Sequence, residues 1–247
     1  MQRPEESAAR PANGPCLDTS VTLGELVTRY PKTAQVFKRY GIDFCCGGKR
    51  PLRVVLAESG LSEEELASQL REAFAGAEDE GEAPDWTKRS FAELIDHIVS
   101  VHHGYLYREL PEIGQYVVKI DHVHGGRHPE LAQVRDLFAR MRQELMIHLP
   151  KEEMDLFPAI KRLEQEPSAE QRGRLTAMVE ALEDEHESCG EILKQIRSVT
   201  NDYAVPDDAC ATYRLTFQKL QELESDLFQH IHLENNVLFP RALNFPV

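Results

Sequence analysis

The sequence predicts an all-α protein, an up-down four-helix bundle preceded by a small helical domain. Three observations predict it. Four long stretches within residues 86–247 repeat apolar side chains at three- and four-residue steps, the period of a helix with one buried face. Shorter stretches of the same period fill residues 19–75. Between them, at 76–85, GAEDEGEAPD is acidic, rich in small residues and without apolar period, which reads as a linker.

In chain order, residues 1–18 lack periodicity and are expected to be disordered, with Cys16 a spectator thiol. Thr22 and Glu25 form a capping-box signature ahead of Leu23, Leu26, Val27 and Tyr30, and Pro31 ends that helix. A second short helix carries Ala34, Phe37 and Tyr40, with Gly41 as a left-handed stop. After GIDFCCGGKRP, Pro51 opens a third through Val54, Val55 and Ala57 to Gly60. Ser62 with Glu65 caps a fourth holding Leu66, Leu70 and Phe74. A unit of this size is near the lower limit for independent stability.

In the larger unit, helix one is expected from about Ser90 to Val118, marked by Phe91, Leu94, Ile98, Val101 and Tyr105. It carries His97, His102 and His103, and periodicity does not choose among them. The following DHVHGGRHP reads as a loop whose His122, His124 and His128 are ordinary surface residues. Helix two, Pro129 to Leu163, runs through Val134, Leu137, Phe138, Met141 and Leu145 to His148 and Glu152. Helix three starts at Ser168, an N-cap candidate, and puts Leu175, Met178, Leu182, His186, Cys189, Leu193 and Ile196 on one stripe. Helix four, Asp207 to Leu243, runs through Tyr213, Phe217, Leu220, Leu223 and Leu227 to His230. Four such helices with short connections pack most economically up-down-up-down.

Composition narrows the function. Hydrophobic residues make up 41% of the 247, enough for a packed core, and 28 Lys and Arg against 42 Asp and Glu give a net charge of −14. That balance disfavours a nucleic-acid backbone or an anionic membrane as partner. No apolar run approaches the ~20 residues that span a bilayer. The polar, Pro-rich start has no apolar core of a secretory signal, so a cytoplasmic location is expected. Five cysteines, two of them adjacent, do not look like a disulfide framework.

The chemistry-bearing signal is a repeat. QHIHLENNVLFPR near the end and HLPKEEMDLFP upstream set His230, Glu234 and Pro240 against His148, Glu152 and Pro158 at one constant offset. In each copy the histidine and glutamate are four residues apart, on one face of a helix. Neutral imidazole suits a borderline transition metal and a carboxylate can bridge two ions, so two such pairs on facing helices could hold a dinuclear centre. His186 enters the same core. Glu185 beside it is open to three roles: outer ligand, proton shuttle or solvated residue. Pro150 lies inside the first copy, where a proline costs ~3 kcal/mol in an undisturbed helix. A kink there is expected to bear on whether Glu152 bridges. Cys189 and Cys210 carry no motif and are read as structural.

The second signal is Cys45-Cys46, flanked by Gly47 and Gly48, with Lys49 and Arg50 expected to favour the thiolate. DFCCGGK resembles the signature of the N-terminal domain of the RIC family, named for repair of iron centres, and the His/Glu repeats resemble the hemerythrin-like domain that follows it there. The resemblance spans Val21 to Leu243. It implies a non-haem, oxo- and carboxylate-bridged pair of iron ions inside the bundle, with His103, His148, His186 and His230 as terminal ligands and Glu152 and Glu234 as bridges. His103 rather than His102 matches, because family members place that ligand seven residues before the Leu-Pro that here is Leu110-Pro111. Glu185 matches an acidic position implicated in the family, and Cys45 and Cys46 match its cysteine pair.

The resemblance implies repair of iron–sulfur clusters damaged by oxidative or nitrosative stress, by donating iron or handling NO. Its partners would be damaged iron–sulfur proteins or a cluster-assembly scaffold, with the cysteine loop a thiolate relay carried on the acidic linker and a homodimer conceivable. Two other readings stand beside it: a hemerythrin-like protein that binds or senses O2 or NO, and a di-iron NO reductase. The cysteine domain argues against a plain oxygen carrier, and the absence of His-Glu-x-x-His argues against a zinc hydrolase.

Overall fold

The computed structural model describes residues 18–75 and 84–247, with side chains of 71–75 excepted. The expected disordered N-terminus with Cys16, most of the expected linker and the Phe74 side chain lie outside the described residues. The chain divides into two compact units, up to Asp85 and Trp86–Val247. Among the described residues no helix is long and apolar enough to cross a membrane.

The smaller unit holds α1 (Leu23–Arg29), α2 (Thr33–Arg39), a 3-10 turn at Cys46–Lys49, α3 (Leu52–Ser59) and α4 (Glu63–Ala75). The Thr22 and Glu25 cap is reciprocal: the Glu25 amide donates to Thr22 Oγ1 at 3.2 Å and the Thr22 amide to Glu25 Oε2 at 2.9 Å. Gly41 and Gly60 stop α2 and α3 at φ of 64° and 70°, where a side chain would be strained. Pro51 stands one residue before α3, at its capping position. The chain segments leading into α1 and α3 are tied by the amides of Leu23 and Leu52, which donate to Arg50 and Val21 carbonyls at 3.0 and 2.9 Å. Leu23, Val36, Phe37, Phe44, Leu52 and Leu66 fill the interior.

The larger unit is a bundle of four long helices, three of them interrupted once. α5 (Phe91–His97) passes through a π-helical turn, Ile98–His103, into α6 (Gly104–His124). α7 (Glu130–Lys151) passes through Glu152–Leu156 into α8 (Phe157–Gln165). α9 (Ala169–Val199) is uninterrupted. α10 (Ala211–His232) passes through Leu233–Leu238 into α11 (Phe239–Leu243). α6 packs on α7 and α10, and α7 on α9. The first helix does not end near Val118. Ile120 continues its buried stripe and no breaker intervenes before Gly125, so His122 and His124 are helical. Helix four starts at Ala211, with Cys210 in the capping position, rather than at Asp207. Ser168 caps α9 by position, but its side chain makes no capping bond.

Two apolar clusters divide the bundle interior. One gathers Leu106 to Ile120, Leu131 to Leu149, Cys189 to Ile196 and Tyr213 to Leu227. The other gathers Phe91 to Ile98, Leu156 to Leu163, Leu175 to Leu182 and Leu233 to Ala242. On every helix the polar residues of interest fall at the boundary of the two, so the site is a thin buried layer with hydrocarbon on both sides.

Candidate metal centre

Each interrupted helix carries its π turn where a candidate ligand stands: His103 closes the first, Glu152 opens the second and Glu234 lies in the third. A π turn inserts one extra residue per ring and re-aims the side chains beyond it, and such turns concentrate at functional sites. Pro150 sits just ahead of the second. It leaves the chain helical through Lys151, and Glu152 remains fully buried beside the histidines.

Six side chains meet in this layer as two groups of four. His103 and His230 form one with Glu152 and Glu234; His148 and His186 form the other with the same two glutamates. The Nε2 atoms of His103 and His230 are 3.2 Å apart, and those of His148 and His186 3.1 Å. Two nitrogens bound to one ion at about 2.1 Å would stand roughly 3.0 to 3.4 Å apart. Glu152 Oε2 is 3.4 Å from His103 Nε2 and its Oε1 is 3.3 Å from His148 Nε2. Glu234 Oε1 is 3.0 Å from His230 Nε2 and its Oε2 is 3.2 Å from His186 Nε2. Each carboxylate thus spans both histidine pairs.

The tautomers sharpen this geometry. His103 Nδ1–H donates to Glu153 Oε1, His148 Nδ1–H to Glu185 Oε2 and His186 Nδ1–H to Asn235 Oδ1, each at 2.8 Å. Neutral rings so held turn Nε2 lone pairs inward, toward one another and toward carboxylates. Glu152 Oε1 and Oε2 and Glu234 Oε2 have no hydrogen-bond donor from the protein in this buried layer, an arrangement that costs free energy until positive charge enters. The donor set therefore fits metal ions. Without them, protons answer the same field. Burial pushes the His103 and His148 imidazoles down, but the Glu152 and Glu234 carboxylates outweigh it and raise both, His148 to about 9. At His230 burial wins and the pKa falls. Burial pushes both carboxyls up, yet the facing imidazoles hold Glu152 below and Glu234 well below the usual range.

Glu185 is not one of the six. Its carboxylate, partly exposed, bridges His148 and the Lys151 ammonium. His102, the alternative to His103, points elsewhere: its Nδ1 meets Asp226 Oδ1 at 2.8 Å and its ring stacks parallel to His230 with centroids 5.5 Å apart. His230 Nδ1 is buried with no hydrogen-bond partner, so three of the four rings are braced from outside and the fourth is not. Glu153, Asn235 and Asp226 escaped the sequence reading, although Glu153 and Asn235 occupy the same place in the two repeats, one residue past the glutamate. His97 lies outside the groups, against Trp86 at 4.4 Å. A cavity of about 20 Å³ opens beside the layer, lined by His148, His186, His230, Cys189 and Leu227 among others. That is room for one water-sized molecule.

The cysteines correct two expectations. Cys45 is buried, and its thiol is pushed well above the ordinary range by the hydrogen bond with Cys46, by burial and by the Asp43 carboxylate. Lys49 and Arg50 do not offset this, and Arg50 pairs with Glu58. Cys210, read as structural, is exposed at the start of α10. Amide hydrogen bonding from Tyr213 and its contact with His124, 3.2 Å away, lower its pKa to about 7.

Residues 94–242 match the hemerythrin HHE cation-binding domain, and residues 19–73 match ScdA_N, a domain of unknown function (DUF542). Over 226 residues the chain is 34% identical to a probable iron-sulfur cluster repair protein of Haemophilus influenzae, covering 90% of this chain and 96% of the relative. Over 221 residues it is 36% identical to iron-sulfur cluster repair protein YtfE of Citrobacter koseri and 35% to that of Escherichia coli, with the same coverage.

Proposed function

The chain belongs to the RIC family of iron–sulfur cluster repair proteins, and from that premise we propose that it restores iron–sulfur clusters damaged by oxidative or nitrosative stress, using two non-haem irons held in the bundle. The observation that carries this reading is the pair of histidine sets sharing two donor-less buried carboxylates. His103 and His230 would hold one ion, His148 and His186 the other, and Glu152 and Glu234 both. The irons would supply exchangeable metal and one-electron chemistry.

The chain's own residues set the conditions for that chemistry. Glu153, Glu185 and Asn235 fix ring orientation and tautomer, which keeps the Nε2 donors basic. The apolar clusters above and below exclude bulk water, so charge in the layer is felt strongly. Four histidines and two carboxylates would leave each ion room for a further ligand, and the cavity against His148, His186 and His230 supports access by a diatomic such as NO or O2. Cys45 and Cys46 act in transfer, with a damaged iron–sulfur protein as the recipient.

The test is anaerobic reconstitution with Fe(II), metal analysis and visible spectroscopy before and after NO, then reactivation of a nitrosylated iron–sulfur enzyme. Two irons per chain and recovery of the enzyme are expected. Cys45→Ser with Cys46→Ser should keep the bundle iron and lose the recovery. Stoichiometric zinc, or no metal after reconstitution, would overturn the di-iron reading. Turnover of NO to N2O with an electron donor, without reactivation, would favour an NO reductase.

A further inference from the structure

The smaller unit carries a second set of metal-type donors. Asp43 precedes the 3-10 turn at Cys46–Lys49, and the amides of Cys45, Cys46 and Gly47 donate to its Oδ1 at 3.2, 3.0 and 3.1 Å. The turn therefore fixes where the carboxylate stands. The Cys45 thiol lies 3.3 Å from the same oxygen, the two sulfurs are 3.9 Å apart, and donor atoms of all three residues fall within 4.8 Å of one another. A tetrahedral ion with metal–sulfur bonds of about 2.3 Å and a metal–oxygen bond of about 2.1 Å has S···S and S···O edges of roughly 3.8 and 3.6 Å. The S···S distance matches the first edge, and the S···O distance, a thiol hydrogen bond, need lengthen by only a few tenths of an ångström to match the second when a metal replaces the proton.

We propose that Asp43, Cys45 and Cys46 form a mononuclear site for a borderline divalent cation such as Fe(II) or Zn(II), with the fourth position open. Two sulfurs select against Mg and Ca, which prefer oxygen alone. Binding breaks two S–H bonds, forms two metal–sulfur bonds and one metal–oxygen bond, and releases two protons to solvent; no electron moves. Cys45 is buried and Cys46 partly exposed, so an ion reaches the site from the Cys46 side. Three protein donors rather than four distinguish a site that exchanges its ion from a closed structural one. This site stands on the smaller unit alone, whether or not the bundle holds two irons.

The test is an anaerobic titration of the full-length chain with Co(II) alone, read by absorbance. Histidine and carboxylate donors in the bundle give no sulfur-to-cobalt charge transfer, so that near-ultraviolet band reports the thiolates. One such cobalt per chain, with tetrahedral ligand-field bands, is expected. Cys45→Ser with Cys46→Ser should abolish the charge-transfer band while Cys16, Cys189 and Cys210 remain. Asp43→Asn keeps an oxygen to accept the three amides but loses the anionic donor, and should weaken binding at least tenfold with helicity unchanged; Asp43→Glu should recover part of that loss. Absence of the band in the wild type, its survival in the double cysteine variant, or wild-type affinity in Asp43→Asn would each overturn the proposal.

Discussion

Glu185 is the sequence neighbour of His186, yet its carboxylate accepts the Nδ1–H of His148 on another helix, at 2.8 Å. An acidic partner of this kind fixes a metal-binding ring through its far nitrogen. Glu185→Ala should therefore weaken metal held by His148 and His186 by about 10- to 100-fold in chelator competition. Glu185→Gln, which still accepts the bond, should lose less. Equal affinity in all three proteins would remove Glu185 from this role.

Glu152 and Glu234 each face both histidine pairs, so neither can be lost from one position alone. Glu152→Gln should reduce bound metal at both, whereas His148→Ala should spare the ion between His103 and His230. Metal-to-protein ratios after exhaustive dialysis separate the two patterns.

The thiols should react in an order set by their surroundings. Cys210, at about 7 and exposed, should alkylate roughly tenfold or more faster at neutral pH than Cys45, which the hydrogen bond with Cys46, burial and the Asp43 carboxylate keep protonated. Mass-spectrometric timing of iodoacetamide labelling tests this, and His124→Ala should slow Cys210.

The contact between His128 and Asp208, 2.9 Å apart, should make stability pH-dependent. The hydrogen bond with Asp208 raises the His128 pKa, and the same bond lowers that of Asp208. The raised histidine contributes fully below its unfolded value of about 6.5, and that contribution fades as pH rises through the folded one. The lowered carboxyl contributes above its unfolded value of about 3.9 and loses this as pH falls through its folded one. The deficit in Tm of His128→Gln should thus be greatest between those limits and shrink at alkaline pH.

Tyr203 closes three consecutive residues at positive φ, Asn201 at 49°, Asp202 at 60° and Tyr203 at 57°. That unfavourable backbone is held by burial of the Tyr203 ring and its hydroxyl donating to Glu224 at 3.3 Å. Tyr203→Ala should cost about 3 kcal/mol in denaturant unfolding without changing metal content.

Much of this site was legible because helix periodicity and ligand spacing share a number. A histidine and glutamate four residues apart must leave one helix face together, and the repetition in QHIHLENN and HLPKEEMD marked the pair as more than a surface accident. The π turns were not legible, since they depend on which carbonyl an amide finds after the helices pack. Glu185 was named as the acidic neighbour of His186, but its partner His148 lies across a helix interface and was not legible. Glu153 and Asn235 could have been found by extending the repeat one residue. The cysteine loop misled because Lys49 and Arg50 follow Cys45 and Cys46 closely in sequence while Asp43, two residues before Cys45, places its carboxylate 3.3 Å from the Cys45 thiol.

The missing brace on His230 bears on order in time. If an ion is to be handed on, the bundle cannot grip both with the same strength. His148 and His186 each have an outer acceptor, as does His103, but among the described residues none accepts from His230 Nδ1, and that ring is steadied by stacking against His102 and by His103 and Glu234 at its other nitrogen. Its ring can tilt without breaking a bond behind it. On the proposed two-iron reading, the half of the centre at His103 and His230 should empty first, leaving the other ion to keep the two carboxylates in place for reloading.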